Sequence, residues 1–220
     1  PVLALLIIGI QACKKTWLDV KPLGSLNATN LSNATGVQGL LIGAYSTLRG
    51  QINWGSSPTN WSFGSVAGGD SYKGSTPSDQ FTEGAGPVSI FSVDATNGYV
   101  REKYVGIYNG IQRANEVLRM MVNAKDLSAA DQKTITAEVR FLRGYFHMEA
   151  RKMWKAPPYV DESITVGANT INVPNIDASG AFIEIWPKIE ADLQAAMDNL
   201  PATQPHRGRA LRAVLTASAA

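Results

Sequence analysis

The sequence predicts a mostly α-helical globular protein, and three observations support this. Apolar residues recur at intervals of three and four in four separate stretches, a spacing that places them on one face of a helix. The segments between these stretches are rich in Gly, Pro, Asn, Ser and Thr, the residues that cap or end helices. The 220 residues are 45% hydrophobic and 17% charged, which is enough apolar material for a core.

The charge distribution argues against a nucleic-acid partner. Twenty Lys and Arg residues oppose eighteen Asp and Glu residues, so the formal net charge is +2, and the two signs are interspersed along the chain. A polyanion-binding surface needs clustered positive charge. We therefore expect no nucleic acid among the partners of this protein.

The first residues have the pattern of an export signal followed by a lipidation site. Residues 2–10 form one unbroken apolar run, which is shorter than the roughly 20 residues needed to span a bilayer. The run leads to I-Q-A-C at 10–13, which resembles the lipobox of bacterial lipoproteins, and Cys13 is the only cysteine. We interpret residues 1–12 as a signal-peptide remnant and Cys13 as the lipid-carrying residue of a tether over 13–24. The alternative is a buried cysteine at the end of a core helix.

The first predicted helix follows a segment over 25–36 that offers several capping residues. Its apolar stripe is formed by Val37, Leu40, Leu41, Ala44, Tyr45 and Leu48. After it, residues 50–98 keep neither helical nor strand periodicity, so we predict a long loop region there. The loop contains Trp54, Trp61, Phe63, Tyr72, Phe81 and Phe91. Loops of this length in compact domains are usually functional or disordered, and the aromatic content argues against disorder.

A second helix is predicted over 99–122, and a third helix follows a turn over 124–131 and stops before Pro157, since proline disfavours helix in the preceding residue. Between them, Ser128 and Asp131 have the spacing of a capping box. Since the connecting turn is short, the two helices should pack antiparallel.

A fourth helix is predicted over 181–200, after an extended segment at 159–176 with short strand fragments at most. Pro187 marks either the true first turn of this helix or a kink within it. Residues 207–220 have the pattern of the start of another helix, which indicates an incomplete chain.

Four motifs resemble those of the SusD/RagB family, outer-membrane lipoproteins that bind nutrients in Bacteroidetes. They are W-L-D-V-K-P at 17–22, Y-N-G-I-Q-R-A-N at 108–115, A-E-V-R-F-L-R-G-Y-F at 137–146, and W-P-K-I-E-A-D-L at 186–193 followed by G-R-A at 208–210. The third motif is the most specific. The resemblance runs from Cys13 to Ala210 and corresponds to about the N-terminal half of a typical member. Residues 25–220 are therefore expected to form a truncated SusD-like N-terminal helical domain.

The resemblance implies a fold of tetratricopeptide-like helix pairs with long irregular loops, incomplete at the C-terminus. It also implies a lipid-anchored protein of the outer membrane, facing the cell surface, that binds a glycan or another oligomeric nutrient. The implied partner is a SusC-like TonB-dependent transporter, to which the nutrient is delivered. The alternative is a helical-repeat scaffold on the membrane surface that binds only proteins.

The sequence gives little reason to expect catalysis, a metal or a cofactor. His147 and His206 are far apart, and no histidine or carboxylate set has metal-ligand spacing. A glycosidase pair drawn from Asp70, Asp79, Glu83 and Asp94 stays formally open. Within the third motif, Glu138, Arg140 and Arg143 are expected to be structural, with partners on neighbouring helices, and the other interpretation is contact with the transporter.

We expect ligand contacts in the 50–98 segment. A sugar-binding site combines an aromatic platform with short polar groups. The candidate residues there are Trp54, Asn60, Trp61, Asp70 and Tyr72. For any one of these aromatic residues, the alternative is that it fixes the long loop to the helices.

Overall fold

In a computed structural model of the chain, residues 28–49, 61–72, 84–164 and 172–212 are described. Cys13, the tether over 13–24 and the signal-peptide remnant lie outside these residues. The described part contains six α-helices, which are α1 (Ala28–Leu31), α2 (Ala34–Ser46), α3 (Ala85–Ser89), α4 (Gly98–Met121), α5 (Ala129–Met153) and α6 (Trp186–Asn199). A 3₁₀ turn (Thr47–Arg49) follows α2, and a π-helical turn spans Trp61–Val66. The predicted helical class is confirmed.

The starts of the three long N-terminal helices follow from their capping residues. Asn33 accepts a hydrogen bond from the Gly36 N–H at the start of α2, and Asn97 accepts from the Tyr99 N–H at the start of α4. Ser128 accepts from the Asp131 N–H at the start of α5, as the predicted capping box requires. Each cap satisfies a backbone donor that the first turn of a helix leaves without a partner.

Helices α2, α4, α5 and α6 form an antiparallel series, in which each packs against the next. Asn115 of α4 contacts Arg143 of α5 at 3.1 Å, and Lys103, which lies about three turns before Asn115 on α4, pairs with Glu149 at 3.6 Å. As the residue number rises from 103 to 115 on α4, the number of the contacting residue falls from 149 to 143 on α5, so the two helices are antiparallel, as predicted. The core between these helices contains Val37, Leu41, Ala44, Ile107, Ile111, Ala114, Ile135, Val139, Leu142 and Phe146.

The start of the fourth predicted helix needs correction, and Pro187 occupies the first of its two predicted positions. The fourth predicted helix begins at Trp186 and not at residue 181, because Phe182 forms an antiparallel β-bridge with Ile176 that holds the chain extended. Pro187 lies in the first turn of α6, where its missing N–H is not needed, so it produces no kink. Residues 207–211 form turns and irregular backbone, Arg212 has helical backbone, and 213–220, where the rest of the predicted helix would lie, are outside the described residues. Among the described residues of the predicted extended segment, the only β-structure is this single bridge at Ile176.

Candidate functional site

The segment predicted as a long loop contains two short helical elements, which corrects that prediction. The π-helical turn Trp61–Val66 packs against α3, where Ala85, Pro87 and Val88 are buried. Asn97, the cap of α4, also donates from its side chain to the Gly84 carbonyl at 3.1 Å. These contacts fix the described parts of the segment to the N-terminal end of α4.

A cleft of about 690 Å³ lies between these elements, the first turns of α4 and the C-terminal end of α5. Its aromatic walls are formed by Phe63, Phe91, Tyr104 and Trp154. The Trp154 ring meets Tyr104 edge to face, with centroids 5.2 Å apart and planes at 85°. Such edge-to-face contacts hold aromatic side chains in a defined orientation. The cleft therefore presents two oriented rings, Tyr104 and Trp154, together with further aromatic and aliphatic side chains to its interior.

Phe91 is the most exposed of these aromatic residues. Its side chain is 81% exposed, and its backbone φ of 55° lies in the left-handed region that favours glycine. Such a conformation in a bulky residue costs on the order of 1 kcal/mol or more and persists where neighbouring structure enforces it. A large apolar ring exposed at the edge of a cleft is a candidate ligand platform.

Two charged residues supply the polar groups of the cleft, Asp94 and Arg101. The Asp94 carboxylate accepts hydrogen bonds from the hydroxyl and N–H of Thr96, at 2.6 and 2.8 Å, and these bonds lower its pKa. The Arg101 guanidinium is largely exposed and pairs with its neighbour Glu102 at 2.7 Å. A carboxylate and a guanidinium can each hold two adjacent hydroxyl groups of a ligand.

The residues proposed from the sequence lie around this region but do not form its walls. Trp61 is 38% exposed and Tyr72 is 65% exposed, and Asp70 is also on the surface, but none of the three lines the cleft. Trp54 and Asn60 lie outside the described residues. Sequence reasoning missed Tyr104 and Trp154 because they belong to predicted helices, where an aromatic residue is usually assigned to the core. Phe91 belongs to the aromatic residues of the predicted loop region, but the sequence alone does not single it out as a ligand contact.

The charged residues of the third motif hold the helices together. Glu138, which is fully buried, accepts a hydrogen bond from the Tyr45 hydroxyl of α2 at 2.7 Å and pairs with Arg209 at 3.3 Å. Arg143 donates two hydrogen bonds of 2.8 Å to the Asp192 carboxylate of α6. Arg140 donates to a backbone carbonyl of α6 at 3.1 Å. The prediction that these residues have partners on neighbouring elements is confirmed.

His147 is a packed residue of α5, as its isolation in the sequence suggested. Its Nδ1 lies 3.0 Å from the Arg143 carbonyl oxygen, and its Nε2 accepts the Val160 N–H at 3.0 Å. The ring also stacks on Tyr159, with centroids 4.2 Å apart. Burial lowers the pKa of His147 to about 4, so the ring is neutral at physiological pH.

Within the described ranges, no group of three or more His, Cys, Asp or Glu side chains is arranged to hold a metal ion. Of the four carboxylates considered for glycoside hydrolysis, Asp94 lines the cleft and Asp70 lies on the surface outside it, while Asp79 and Glu83 fall outside the described residues. Among the described helices, none combines the length and the apolar composition that crossing a membrane requires.

The fold and the cleft together define a class, an α-helical protein with an aromatic-walled site of the size that takes organic ligands. The chain belongs to the SusD-like family described as "Starch-binding associating with outer membrane", whose model matches residues 16–220. The predicted family membership is thereby confirmed. No curated protein matches the sequence.

Two solved structures have a similar fold. A SusD-like protein from Bacteroides fragilis NCTC 9343 is 19% identical with a TM-score of 0.66, and the match covers 88% of this chain and 35% of that one. A SusD superfamily protein from Bacteroides vulgatus ATCC 8482 is 18% identical with a TM-score of 0.63, and the match covers 86% of this chain and 39% of that one. The chain thus spans between 35% and 39% of the length of these two proteins.

Proposed function

We propose that this chain is part of an outer-membrane nutrient-binding protein that holds an oligosaccharide in the aromatic cleft. The observation that carries the proposal is the wall of four aromatic residues, Phe63, Phe91, Tyr104 and Trp154, with Asp94 at its edge. Aromatic rings stack on the apolar faces of sugars, while carboxylates bind their hydroxyl groups. The family description, which names starch binding, supports the same ligand class.

The protein acts by binding and not by catalysis in this proposal. The buried charges of α5 are engaged in bonds between helices: Glu138 with Tyr45 and Arg209, and Arg143 with Asp192. The nutrient held in the cleft would be delivered to a SusC-like TonB-dependent transporter. The description of the family as associating with the outer membrane supports this location.

We further propose that Cys13 carries the lipid anchor and that the anchored protein faces the cell surface. Replacing Cys13 by Ala should move the protein from the membrane fraction to the soluble fraction and abolish labelling by a fatty-acid analogue. Labelling that persists in this variant would contradict the anchor. A transporter gene directly next to the gene of this protein, and co-purification of the transporter with the tagged protein, would support the partner.

The cleft assignment is tested by calorimetry with a panel of neutral oligosaccharides that includes maltoheptaose, a starch fragment. Phe91→Ala removes an exposed ring and should weaken binding by about 1 to 3 kcal/mol, the range found for stacking on aromatic platforms. The matched control is Phe182→Ala, which removes a ring that is 52% exposed but does not line the cleft. Equal affinities in the two variants would refute the assignment.

The residues predicted from the sequence are tested in the same assay. Trp54, Asn60, Trp61, Asp70 and Tyr72 remain proposed ligand contacts. Trp61→Ala and Trp54→Ala should each weaken binding if their rings extend the platform beyond the cleft. A fall in melting temperature with unchanged affinity would show instead that these rings fix the loop to the helices.

A further inference from the structure

Tyr108 of α4 contacts one wall of the aromatic cleft without lining the cleft itself. It follows the wall residue Tyr104 by four positions, so the two side chains lie on one face of the helix. Their ring centroids are 4.4 Å apart, and the ring planes are inclined by 33°. Tyr104 is 39% exposed, whereas Tyr108 is half-buried. The Tyr104 ring therefore has a neighbour on its own helix that restricts its rotation.

The hydroxyl group of Tyr108 also reaches the chain that follows the second oriented ring, Trp154. It donates a hydrogen bond of 2.7 Å to the Pro158 carbonyl oxygen, a normal length for an O–H donor. Burial raises the pKa of Tyr108, and the nearby Tyr104 side chain raises it further, so the hydroxyl group keeps its proton at neutral pH. One side chain thus contacts a ring of the cleft and the backbone beyond the other ring.

The three residues between Trp154 and Pro158 are held at both ends. At one end, the Trp154 N–H bonds to a carbonyl in the last turn of α5 at 2.9 Å. At the other end is the bond from Tyr108, and between the two Asn175 donates to the Ala156 carbonyl at 3.0 Å. The residue before Pro158 is also a proline, whose ring fixes its φ. A short segment held in this way leaves Trp154 few positions, and the Tyr108 hydroxyl group is one of its fixed points.

The next residue along the chain, Tyr159, makes a similar bond away from the cleft. Its hydroxyl group donates to the Asp192 carboxylate at 2.6 Å, and its ring stacks on His147. Tyr159 is half-buried like Tyr108, and it does not line the cleft either. The two tyrosines therefore fix adjacent residues with the same chemistry, but Tyr108 is the one that stacks on a cleft ring.

We propose that Tyr108 is a positioning residue of the cleft, whose ring orients Tyr104 and whose hydroxyl group orients Trp154 before a ligand binds. These two rings meet edge to face, so a change in either one alters the surface that the pair presents. A binding surface that is ordered in the free protein avoids the entropic cost of ordering it on binding. The inference rests on the proposed function, because it takes a sugar to be the ligand of the two rings.

The test compares two variants of the intact chain that each lose one hydroxyl group and keep the ring. Both Tyr108→Phe and the control Tyr159→Phe should lower the melting temperature, since each removes a hydrogen bond of the folded state. Calorimetry with maltoheptaose separates them. We expect the affinity of Tyr108→Phe to fall about three- to tenfold, the range that corresponds to one net hydrogen bond. Tyr159→Phe should keep the wild-type affinity.

A second measurement follows the Trp154 ring in the absence of ligand. The chain is labelled with fluorotryptophan, and the Trp154 fluorine resonance is assigned by its loss in Trp154→Phe. This resonance should shift or broaden in Tyr108→Phe, because the segment after Trp154 has lost a fixed point, and it should stay unchanged in Tyr159→Phe. An unchanged Trp154 resonance in Tyr108→Phe would overturn the proposal, and so would an affinity equal to that of Tyr159→Phe.

The positioning role and the proposed function fail in different ways. If Phe91→Ala weakens maltoheptaose binding and Tyr108→Phe does not, the proposed function stands and Tyr108 has a purely structural role. A wild-type chain that binds no member of the oligosaccharide panel would overturn both.

Discussion

Lowering the pH from 7.5 to 4.5 should destabilise this fold through one residue, His147. Its side chain is fully buried, and its Nε2 accepts the Val160 N–H at 3.0 Å. Protonation of Nε2 would turn this acceptor into a donor that faces the Val160 N–H, so the hydrogen bond between them would break. Burial lowers the pKa of His147 to about 4 in the folded protein, from an ordinary value of 6.5. The folded state therefore retains the neutral ring over most of the acidic range.

The sign and the size of the effect follow from proton linkage. Because the unfolded chain has the higher histidine pKa, it takes up the proton first as the pH falls, and the folded state loses stability relative to it. The contribution is fully present above pH 6.5 and is lost as the pH falls to about 4. Each unit of difference between the folded and unfolded pKa values is worth about 1.4 kcal/mol, so the full difference for His147 contributes about 3 kcal/mol to the free energy of unfolding. About 2 to 3 kcal/mol of this contribution is lost by pH 4.5. This is a large share of the roughly 5 to 15 kcal/mol that stabilises a typical domain.

The assay is urea denaturation followed by circular dichroism at several pH values between 7.5 and 4.5. Lower values are avoided because carboxylates with hydrogen-bonded, lowered pKa values, such as Asp94 and Asp177, then begin to contribute. His147→Gln should show little change in the free energy of unfolding over this interval, because glutamine does not titrate. The chain offers a matched control in its only other histidine, the exposed His206, and His206→Gln should keep the wild-type slope. An equal slope in His147→Gln and wild type would refute the reasoning.

Three further substitutions test the packing, each by the free energy of unfolding in urea at pH 7.5. Gly110→Ala would place a methyl group 2.5 Å from the buried Phe146 ring and should destabilise the fold by about 1 to 3 kcal/mol. In the control variant Gly39→Ala the new methyl group meets no atom within 4 Å, so this variant should be neutral or stabilising. Equal effects of the two substitutions would contradict the close packing at Gly110. Ser128→Ala removes the cap of α5 and should cost about 1 kcal/mol, so no measurable loss would count against that cap. Arg143→Met removes two hydrogen bonds to the buried Asp192 carboxylate, which keeps its ion pair with Arg140, and should cost about 2 to 3 kcal/mol. A loss below about 1 kcal/mol would show that the pair is not held as described.

Helical periodicity predicted the scaffold well because its helices bury one continuous face. The helix predicted over 99–122 is observed at Gly98–Met121, and its start coincides with a capping asparagine. The start of the last helix was placed too early for a specific reason. Phe182 has helical spacing relative to Ile185 and Trp186, but its backbone pairs with Ile176, and a pairing between distant residues leaves no periodic signal.

The cleft could be predicted only in part, because its walls come from three separate regions. The aromatic content of the 50–98 segment indicated a binding region, and Phe63 and Phe91 do line the cleft. Tyr104 and Trp154 complete it from α4 and from the end of α5, where spacing alone assigns an aromatic residue to the core. Tyr104 is in fact 39% exposed. Exposure of this kind depends on which neighbours cover a helix face, and one sequence does not contain that information.

The motif on α5 that carries the family resemblance specifies the scaffold and not the ligand. Its buried polar residues, and His147 directly after it, each bind a different neighbour: Glu138 reaches α2, Arg143 reaches α6, and His147 reaches the backbone after Pro158. Apolar side chains would pack between these helices in several registers, whereas a buried hydrogen bond is satisfied in only one. These residues therefore fix how the helices align, whatever the protein binds. Differences in ligand between proteins that share the motif should consequently arise in the walls of the cleft, where substitutions leave the helix register unchanged.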